Sequence, residues 1–285
     1  MSCSLQSLIA QDAAQLAGAL ALDGSTARIE VQCLLQHLLH VPRSYLLAHP
    51  ERCLNADEYS QYQVLLQRRL RGEPVAYILG EREFFGLKLK VTPATLIPRP
   101  DTELLVELAL QHLTNTAESR VLDMGTGTGA IALAIAHERP AVPVLGVDAS
   151  AAALQVAQEN AQVLGLTNAH FVQSNWFSAL AGQGFELIVS NPPYIAAADE
   201  HLSQGDVRFE PATALASGAD GLDDIRHIVS HAGDYLQPGG WLLLEHGYDQ
   251  AGRVRTLLQQ AGFDAVFSAC DLAGIERVSG GQICS

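Results

Sequence analysis

Val121-Leu122-Asp123-Met124-Gly125-Thr126-Gly127-Thr128-Gly129-Ala130-Ile131-Ala132-Leu133-Ala134-Ile135-Ala136 decides the fold. Residues 121–124 read as a short buried strand, 125–129 as a glycine loop and 130–136 as an apolar helix. Strand, glycine loop and helix in that order open the nucleotide-binding half of a doubly wound α/β sheet. The glycines reach backbone angles closed to other residues. Lacking a Cβ, they also let the main chain touch a ligand. About 20 residues on, a second strand, Val144-Leu145-Gly146-Val147, ends at Asp148. An acid there can accept hydrogen bonds from both hydroxyls of a ribose. Asp148 also suits the N-cap of a helix over 149–163. The glycine loop upstream favours the ribose.

The glycine spacing narrows the ligand. A dinucleotide site spaces its glycines G-x-G-x-x-G and aims a helix N-terminus at a pyrophosphate. Here the third glycine, Gly129, comes one residue early. That departs from the phosphate pattern and matches the loop of S-adenosylmethionine enzymes, whose cofactor has no phosphate to neutralise.

Downstream, the apolar run 185–190 reads as a strand buried on both faces, and it ends at Asn191-Pro192-Pro193-Tyr194. Two consecutive prolines fix two φ angles and withdraw two N–H donors. What remains is a stiff rim of acceptors: the Asn191 side-chain oxygen and the backbone oxygens around Pro192. Tyr194 adds an aromatic face. Such a rim suits holding a planar –NH₂ group by both hydrogens. A Pro-Pro turn is also ordinary loop punctuation. Its pairing with the glycine loop favours the binding reading.

GTGTG, the acid after the second strand and NPPY after the fourth resemble class I methyltransferases that act on planar amino groups. Two further stretches narrow the likeness: Arg71-Gly72-Glu73-Pro74-Val75-Ala76-Tyr77-Ile78-Leu79-Gly80 leading into Glu83-Phe84-Phe85-Gly86, and Leu96-Ile97-Pro98-Arg99-Pro100-Asp101-Thr102-Glu103. Over essentially its whole length the chain resembles the PrmC/HemK family, the protein-(glutamine-N5) methyltransferases of peptide chain release factors.

The resemblance implies an α/β fold: a class I S-adenosylmethionine-dependent methyltransferase (Rossmann-like) sheet with a small N-terminal helical domain and a β-hairpin linker. It divides the chain into a substrate-recognition domain over 1–80, a linker over 81–100 and the cofactor-binding domain over 101–285. It implies methyl transfer to the side-chain amide nitrogen of the glutamine in the GGQ motif of class 1 release factors. S-adenosyl-L-methionine would meet Gly125, Thr126, Gly127, Thr128, Gly129, Asp148, Trp176 and Asn191. The substrate would meet Asn191, Pro192, Pro193 and Tyr194, with Asn191, Pro192 and Tyr194 catalytic and no metal. Trp176 reads equally as a core-edge tryptophan. The segment 97–100 would help close the substrate cleft, or Arg99 would be structural. The expected enzyme is a cytoplasmic monomer whose partner is the release factor. A related enzyme that methylates a ribosomal-protein glutamine shares these motifs.

Charge separates another alternative. NPPY is shared with nucleic-acid adenine-amino methyltransferases. Against 31 acidic residues the chain carries 17 Lys and Arg, for a net charge of −14. Nucleic-acid binding draws its affinity from cations on phosphates, so composition favours a protein substrate and no direct nucleic acid. A non-catalytic scaffold that kept the fold is disfavoured by two complete motifs. Cys3, Cys33, Cys53, Cys270 and Cys284 are scattered without C-x-x-C spacing, which argues for reduced thiols and against zinc or a disulfide frame. The 10 histidines form no metal-ligand spacing, and His246 is assigned no role. No stretch approaches the roughly 20 apolar residues of a membrane helix, and no leader is evident at Met1-Ser2-Cys3.

Periodicity predicts helices near 5–20, 26–39, 43–48 and 56–70. Leu34, Leu35, Leu38 and Leu39 form one apolar stripe; Tyr59, Tyr62, Leu65, Leu66 and Arg69 form another. The basic run 68–71 reads as a helix end, where cations are favourable. A hairpin is expected with one strand over 84–91, a turn at 92–94 and a return over 95–97. Helix and strand then alternate from 101, with the last strands near 265–269 and 276–279. Gly280-Gly281-Gln282 repeats the tripeptide that the resembling family methylates in its substrates. Just past the last expected strand, it reads as a frayed terminus.

Overall fold

The computed structural model describes residues 4–114, 116 and 118–284; Met1-Ser2-Cys3, and with it the thiol of Cys3, lies outside them. By its contacts the chain divides into two compact units: Met1–Gly80 with Ser203–Phe209, and Glu81–Leu202 with Glu210–Ser285.

The first unit is helical: α1 (Leu5–Leu20), α2 (Gly24–Leu39), α3 (Arg43–Ala48), α4 (Ala56–Leu70) and α5 (Val75–Leu79). Helix α2 starts earlier than periodicity predicts because Asp23 caps it, accepting from the N–H groups of Ser25 and Thr26. A capping box of Asn55 and Glu58 starts α4. Helix α5 is too short to leave a period. The unit's core is Leu5, Leu16, Leu34, Leu35, Leu66 and Tyr62. Within it the Tyr62 hydroxyl donates to Asp12 Oδ2 at 2.8 Å, and burial lifts the Asp12 carboxyl above its usual range.

Arg69 lies in the last turn of α4, the helix end that the basic run predicts, and on the buried stripe with Tyr62 and Leu66. Its side chain is 3% exposed and pairs at 2.8 Å with both Glu30 and Asp206. Asp206 belongs to the segment Ser203–Phe209, which the sequence reading had left in the cofactor-binding domain.

The second unit opens with an antiparallel hairpin, β1 (Glu81–Phe84) and β2 (Leu87–Lys90). The expected hairpin is corrected here. Its turn lies at Phe85-Gly86, where φ is 50° and 76°. Both central residues are left-handed, as a two-residue hairpin turn requires. Phe85 N donates to Glu103 Oε1 at 3.0 Å and Gly86 N to Glu83 Oε1 at 2.6 Å. A turn does form after Thr92, but no strand returns from it. A phenylalanine in the left-handed region gives no sequence signal, so the apolar run hid the bend.

Then follow α6 (Glu103–His112), β3 (Val121–Met124), α7 (Ala130–Glu138), β4 (Val144–Asp148), α8 (Ala151–Leu164), β5 (Ala169–Gln173) and β6 (Phe185–Ser190). The unit ends with α9 (Asp223–Ala232), β7 (Leu236–Glu245), α10 (Ala251–Gln260), β8 (Phe263–Cys270) and β9 (Glu276–Ile283). Among the described residues the sheet order is β5-β4-β3-β6-β7-β9-β8. Strands β5 to β7 run parallel; β9 and β8 are antiparallel. Alternate residues of the central strands feed opposite cores. Val121, Leu187 and Val189 pack with α6 and α7, whereas Leu122, Met124 and Ile188 pack with α9 and α10. The sheet is therefore buried on both faces.

The C-terminal Gly280-Gly281-Gln282 is not frayed. It lies within β9, with Gly280 between Leu243 and Phe267. A Cβ on Gly280 would meet Leu243 Cδ2 at 2.5 Å and Leu242 O at 2.9 Å. Gln282 Nε2 donates to Gly239 O at 2.8 Å. The glutamine amide is tied into the sheet.

Replacing Arg69 with Met leaves Glu30 and Asp206 without their cation. Stability in a urea melt of the full chain should fall by about 2–3 kcal/mol, less than for a fully buried pair because Asp206 keeps contact with water.

Candidate active site

Register sets the site. Met124 pairs with both Val147 and Ser190, and Ser190 pairs with Leu244. The carboxyl ends of β4, β3, β6 and β7 therefore finish level, and the loops that leave them share one edge.

At the end of β3, Gly125, Gly127 and Gly129 have φ of 70°, 54° and 81°. This is the left-handed region that glycine alone enters without penalty. Gly125 N and Thr126 N both donate to Val147 O at 2.9 Å, tying the loop to β4. Thr126 and Thr128 are buried, while Gly125 and Gly127 keep contact with solvent. Beneath them lies Asp123, fully buried. Its Oδ2 accepts from Thr126 Oγ1 at 2.6 Å and Ala132 N at 3.2 Å. Burial pushes this carboxyl up to about 7; the two hydrogen bonds oppose the rise and the Asp148 charge adds to it. Sequence reasoning passed over Asp123, although an acid inside an apolar strand was a usable signal. Asn160 of α8 donates to Thr128 O at 2.9 Å and grips Lys90 N and O of the hairpin.

Asp148 is half-buried at the end of β4. Its Oδ2 accepts from Gly127 N at 2.9 Å and its Oδ1 from Ser150 N at 2.8 Å. The capping of α8 falls to Ser150, whose hydroxyl accepts from Ala153 N, so the cap reading of Asp148 gives way. Each Asp148 oxygen retains a lone pair for a further donor. Trp176 stands in the left-handed region at φ 50°, with its carbonyl held by Ser174 Oγ at 2.6 Å. Such a conformation costs on the order of 1–3 kcal/mol for a non-glycine. The indole packs on the core and flanks the loop. A Cβ on Gly125 would lie 3.8 Å from its Cζ3.

Open main chain at Gly125 and Gly127, an acid with spare acceptor capacity and an indole beside them suit an adenosine. The loop itself carries no cation to meet a phosphate. The residues present thus fit S-adenosylmethionine.

At the end of β6, Ser190 Oγ donates to Met124 O at 2.7 Å and locks the strand end. Asn191 Nδ2 donates to Thr102 Oγ1 at 3.2 Å. Among the described residues nothing donates to Asn191 Oδ1. Pro192 is buried; Pro193 and Tyr194 are partly so. The Tyr194 carbonyl accepts from Gln250 Nε2 at 2.9 Å, and its hydroxyl lies 3.4 Å from Glu245 Oε1. Burial first, and the Glu245 charge second, lift the phenol above its ordinary range. The chain continues into a bridge in which Ile195 N bonds to Leu215 O and Ser217 N to Ile195 O.

The loops thus bring Gly125, Gly127, Asp148, Trp176, Asn191 and Tyr194 to one edge of the sheet. Thr102, Gln250 and Glu245 escaped the sequence reading. Thr102 fell inside the quoted stretch 96–103 without a role, and Glu245 left a trace as the acid closing the apolar strand that contains residues 241–244. His246 is fully buried and bonds to Ser279 Oγ of β9 at 2.8 Å and Gly247 O at 3.0 Å. Arg99 pairs with Glu210, whose side chain is fully buried. Among the described residues no group of His, Cys, Asp or Glu could hold a metal ion, and no helix is long and apolar enough to cross a membrane.

A doubly wound sheet with this loop at its first crossover is a class I S-adenosylmethionine-dependent methyltransferase. Residues 102–218 match the family described as methyltransferase small domain, and residues 11–80 match the PrmC N-terminal domain. Over 284 residues, 99% of this chain and 98% of the relative, the chain is 48% identical to the release factor glutamine methyltransferase of Aliivibrio fischeri. It is 54% identical over 255 residues to that of Vibrio cholerae, covering 89% of each. The chain belongs to the release factor glutamine methyltransferase family. Its fold is also similar to that of a methyltransferase from Pyrococcus furiosus, with a TM-score of 0.54 at 18% identity, over 77% of this chain and 98% of that one.

Asp148→Ala should weaken S-adenosylmethionine binding about tenfold or more in calorimetry, the cost of lost hydrogen bonds to a ribose. Affinity unchanged within twofold would confine Asp148 to holding Gly127 and Ser150.

Proposed function

We propose that this chain methylates the side-chain amide nitrogen of the glutamine in the Gly-Gly-Gln loop of class 1 peptide chain release factors, and that Asn191, Pro192 and Tyr194 carry the reaction. The observation that supports it most is the pinned Asn191 amide. Its nitrogen is engaged by Thr102, which turns Oδ1 outward as an acceptor with no partner among the described residues.

When bound, S-adenosylmethionine supplies an electrophilic methyl on a good leaving group. Gly125, Thr126, Gly127, Thr128, Gly129, Asp148 and Trp176 would hold it, with Asp148 on the ribose and main chain elsewhere along the loop. The difficulty is the nitrogen. An amide lone pair is delocalised into its carbonyl, to an extent measured by a rotational barrier of roughly 18–20 kcal/mol. Asn191 Oδ1 and the Pro192 carbonyl would accept both hydrogens of the –NH₂ and orient its lone pair. Such alignment can supply several kcal/mol of the barrier. Carbonyl acceptors also become better partners as positive charge grows on nitrogen. The proton leaves after methyl transfer begins, so no strong base is demanded. The Tyr194 ring would cover the glutamine amide, with Pro193 stiffening the rim.

In this reading the helical unit grips the release factor outside the reacting loop. The net charge of −14 supports a protein partner over a phosphate-bearing one. Free thiols at Cys53, Cys270 and Cys284 suit a reducing cytoplasm. The enzyme would act as a monomer.

The deciding experiment incubates a purified release factor with labelled cofactor and this enzyme, then locates the added methyl by mass spectrometry. A methyl on the Gly-Gly-Gln glutamine is expected; label on adenine in a nucleic-acid control, or nowhere, would defeat the proposal. Asn191→Ala should lower kcat about tenfold to a hundredfold, the effect of roughly 1–3 kcal/mol from one lost acceptor, with cofactor affinity nearly unchanged. A kcat within twofold of wild type would remove Asn191 from the chemistry.

A further inference from the structure

We propose that Gln250 is the positioning residue of the NPPY motif: its side-chain amide clamps the Tyr194 carbonyl to the chain that leaves β7, and so sets where the Tyr194 ring stands over the incoming glutamine. This rests on the reading that the Tyr194 ring covers the substrate amide.

The motif is stiff but cannot place itself. Pro192 and Pro193 fix φ at two positions and carry no N–H, so the turn has no donors of its own there to tie it down. Its placement must come from outside. At the entry, Ser190 Oγ donates to Met124 O at 2.7 Å. At the exit, the Tyr194 carbonyl accepts from Gln250 Nε2 at 2.9 Å. The same nitrogen lies 3.4 Å from Gly221 O, just before α9, and Gln250 Oε1 accepts from Gly247 N at 2.9 Å. These directions are forced. A main-chain N–H only donates and a carbonyl only accepts, so the amide has one orientation that satisfies all three partners. One side chain thereby joins the exits of β6 and β7 to the approach to α9.

The surroundings commit the side chain to this task. Gln250 is the N-cap of α10, where a side chain ordinarily serves the first N–H groups of its own helix, yet it makes no such bond. It is 4% exposed, and a buried amide needs partners. Its anchor is itself held. Gly247 O accepts from Gln250 N and from His246 Nδ1, each at 3.0 Å. His246 is fully buried, and its Nε2 accepts from Ser279 Oγ of β9 at 2.8 Å. The clamp therefore has the sheet behind it. On the other side stands Gly221, at φ 76°. A Cβ there would overlap the Tyr194 carbonyl and lie 2.8 Å from Gln250 Nε2, so glycine is what lets the carbonyl reach the amide. Without the clamp, the peptide after Tyr194 keeps its N–H bond from Ile195 to Leu215 O and can tilt about it. That tilt moves the ring.

The experiment measures the full-length enzyme on a purified release factor with labelled cofactor, comparing wild type with Gln250→Leu, Tyr194→Ala and the double variant. Leucine fills similar space and bonds to neither carbonyl. Gln250→Leu should lose about tenfold to a hundredfold in kcat, the effect of a displaced contact at the reacting group. Calorimetric affinity for S-adenosylmethionine should stay within twofold, because Asp123 and Asp148 hold the glycine loop separately. In the Tyr194→Ala background the same change should cost less than about twofold, since both act through one ring. A merely structural role would weaken cofactor binding along with turnover, and its loss would multiply with that of Tyr194→Ala. Either result, or a Gln250→Leu kcat within twofold of wild type, overturns the inference. A second readout needs no turnover and uses enzyme whose tyrosine rings carry carbon-13. The Tyr194 ring signal, assigned by its loss in Tyr194→Phe, should shift or split in Gln250→Leu. A signal that stays in place overturns the clamp. If Gln250→Leu fails to fold, the milder Gln250→Asn, one methylene too short to hold Gly247 and Tyr194 together, replaces it in each measurement with the same expectations. If wild type leaves the release factor unmethylated, the substrate reading falls and the Tyr194 signal alone decides the clamp.

Discussion

A strand buried on both faces has no room for polar side chains until it ends, and this constraint shapes the whole of the second unit. Strands β3, β4, β6 and β7 are walled by two cores, so the polar chemistry gathers where they stop. Parallel register brings those stops to one level. Asp123, Asp148, Asn191 and Glu245 stand at or within a residue of strand ends that pair with one another. The edge is a consequence of packing before it is a site.

Burial then changes what the edge can do. Asp123 and Glu245 are both lifted to about 7, chiefly because their charged forms lose water. Asp123 spends one oxygen on Thr126 of the glycine loop and on Ala132 N in the first turn of α7, and so ties the loop to the helix from below. Glu245 lies 3.4 Å from the Tyr194 hydroxyl at the far end of NPPY. Gln250 adds a third fixture, with its nitrogen on the Tyr194 carbonyl and its oxygen accepting from Gly247 N.

Much of this was legible in the chain. Helices α1, α3 and α4 fall where the apolar period puts them, because a 3.6-residue pattern is local and needs no partner to be read. The doubly wound order followed from one strand-loop-helix unit and the alternation after it. What misled was equally physical. Phe85 adopts a glycine-like φ that nothing in its side chain announces. Gly280-Gly281-Gln282 is a strand without side-chain alternation, formed only because β7 and β8 flank it. The basic run marked Arg69 as a helix-end residue, but its partners Glu30 and Asp206 lie 39 and 137 residues away in sequence. The partners that orient NPPY lie far off in sequence: Asn191 and Thr102 are 89 residues apart, Tyr194 and Glu245 51.

By itself the sequence determined the fold class, the glycine loop and the stiffness of the NPPY turn. Those properties are written in contiguous residues, in the φ freedom of glycine, the missing N–H of proline and the period of apolar side chains. The tertiary structure alone decided which way the Asn191 amide points, that Ser150 rather than Asp148 caps α8, and that burial lifts the carboxyls of Asp123 and Glu245 above their ordinary range. Hydrogen-bond direction and desolvation depend on what folds against a group, and no stretch of chain specifies its own neighbours.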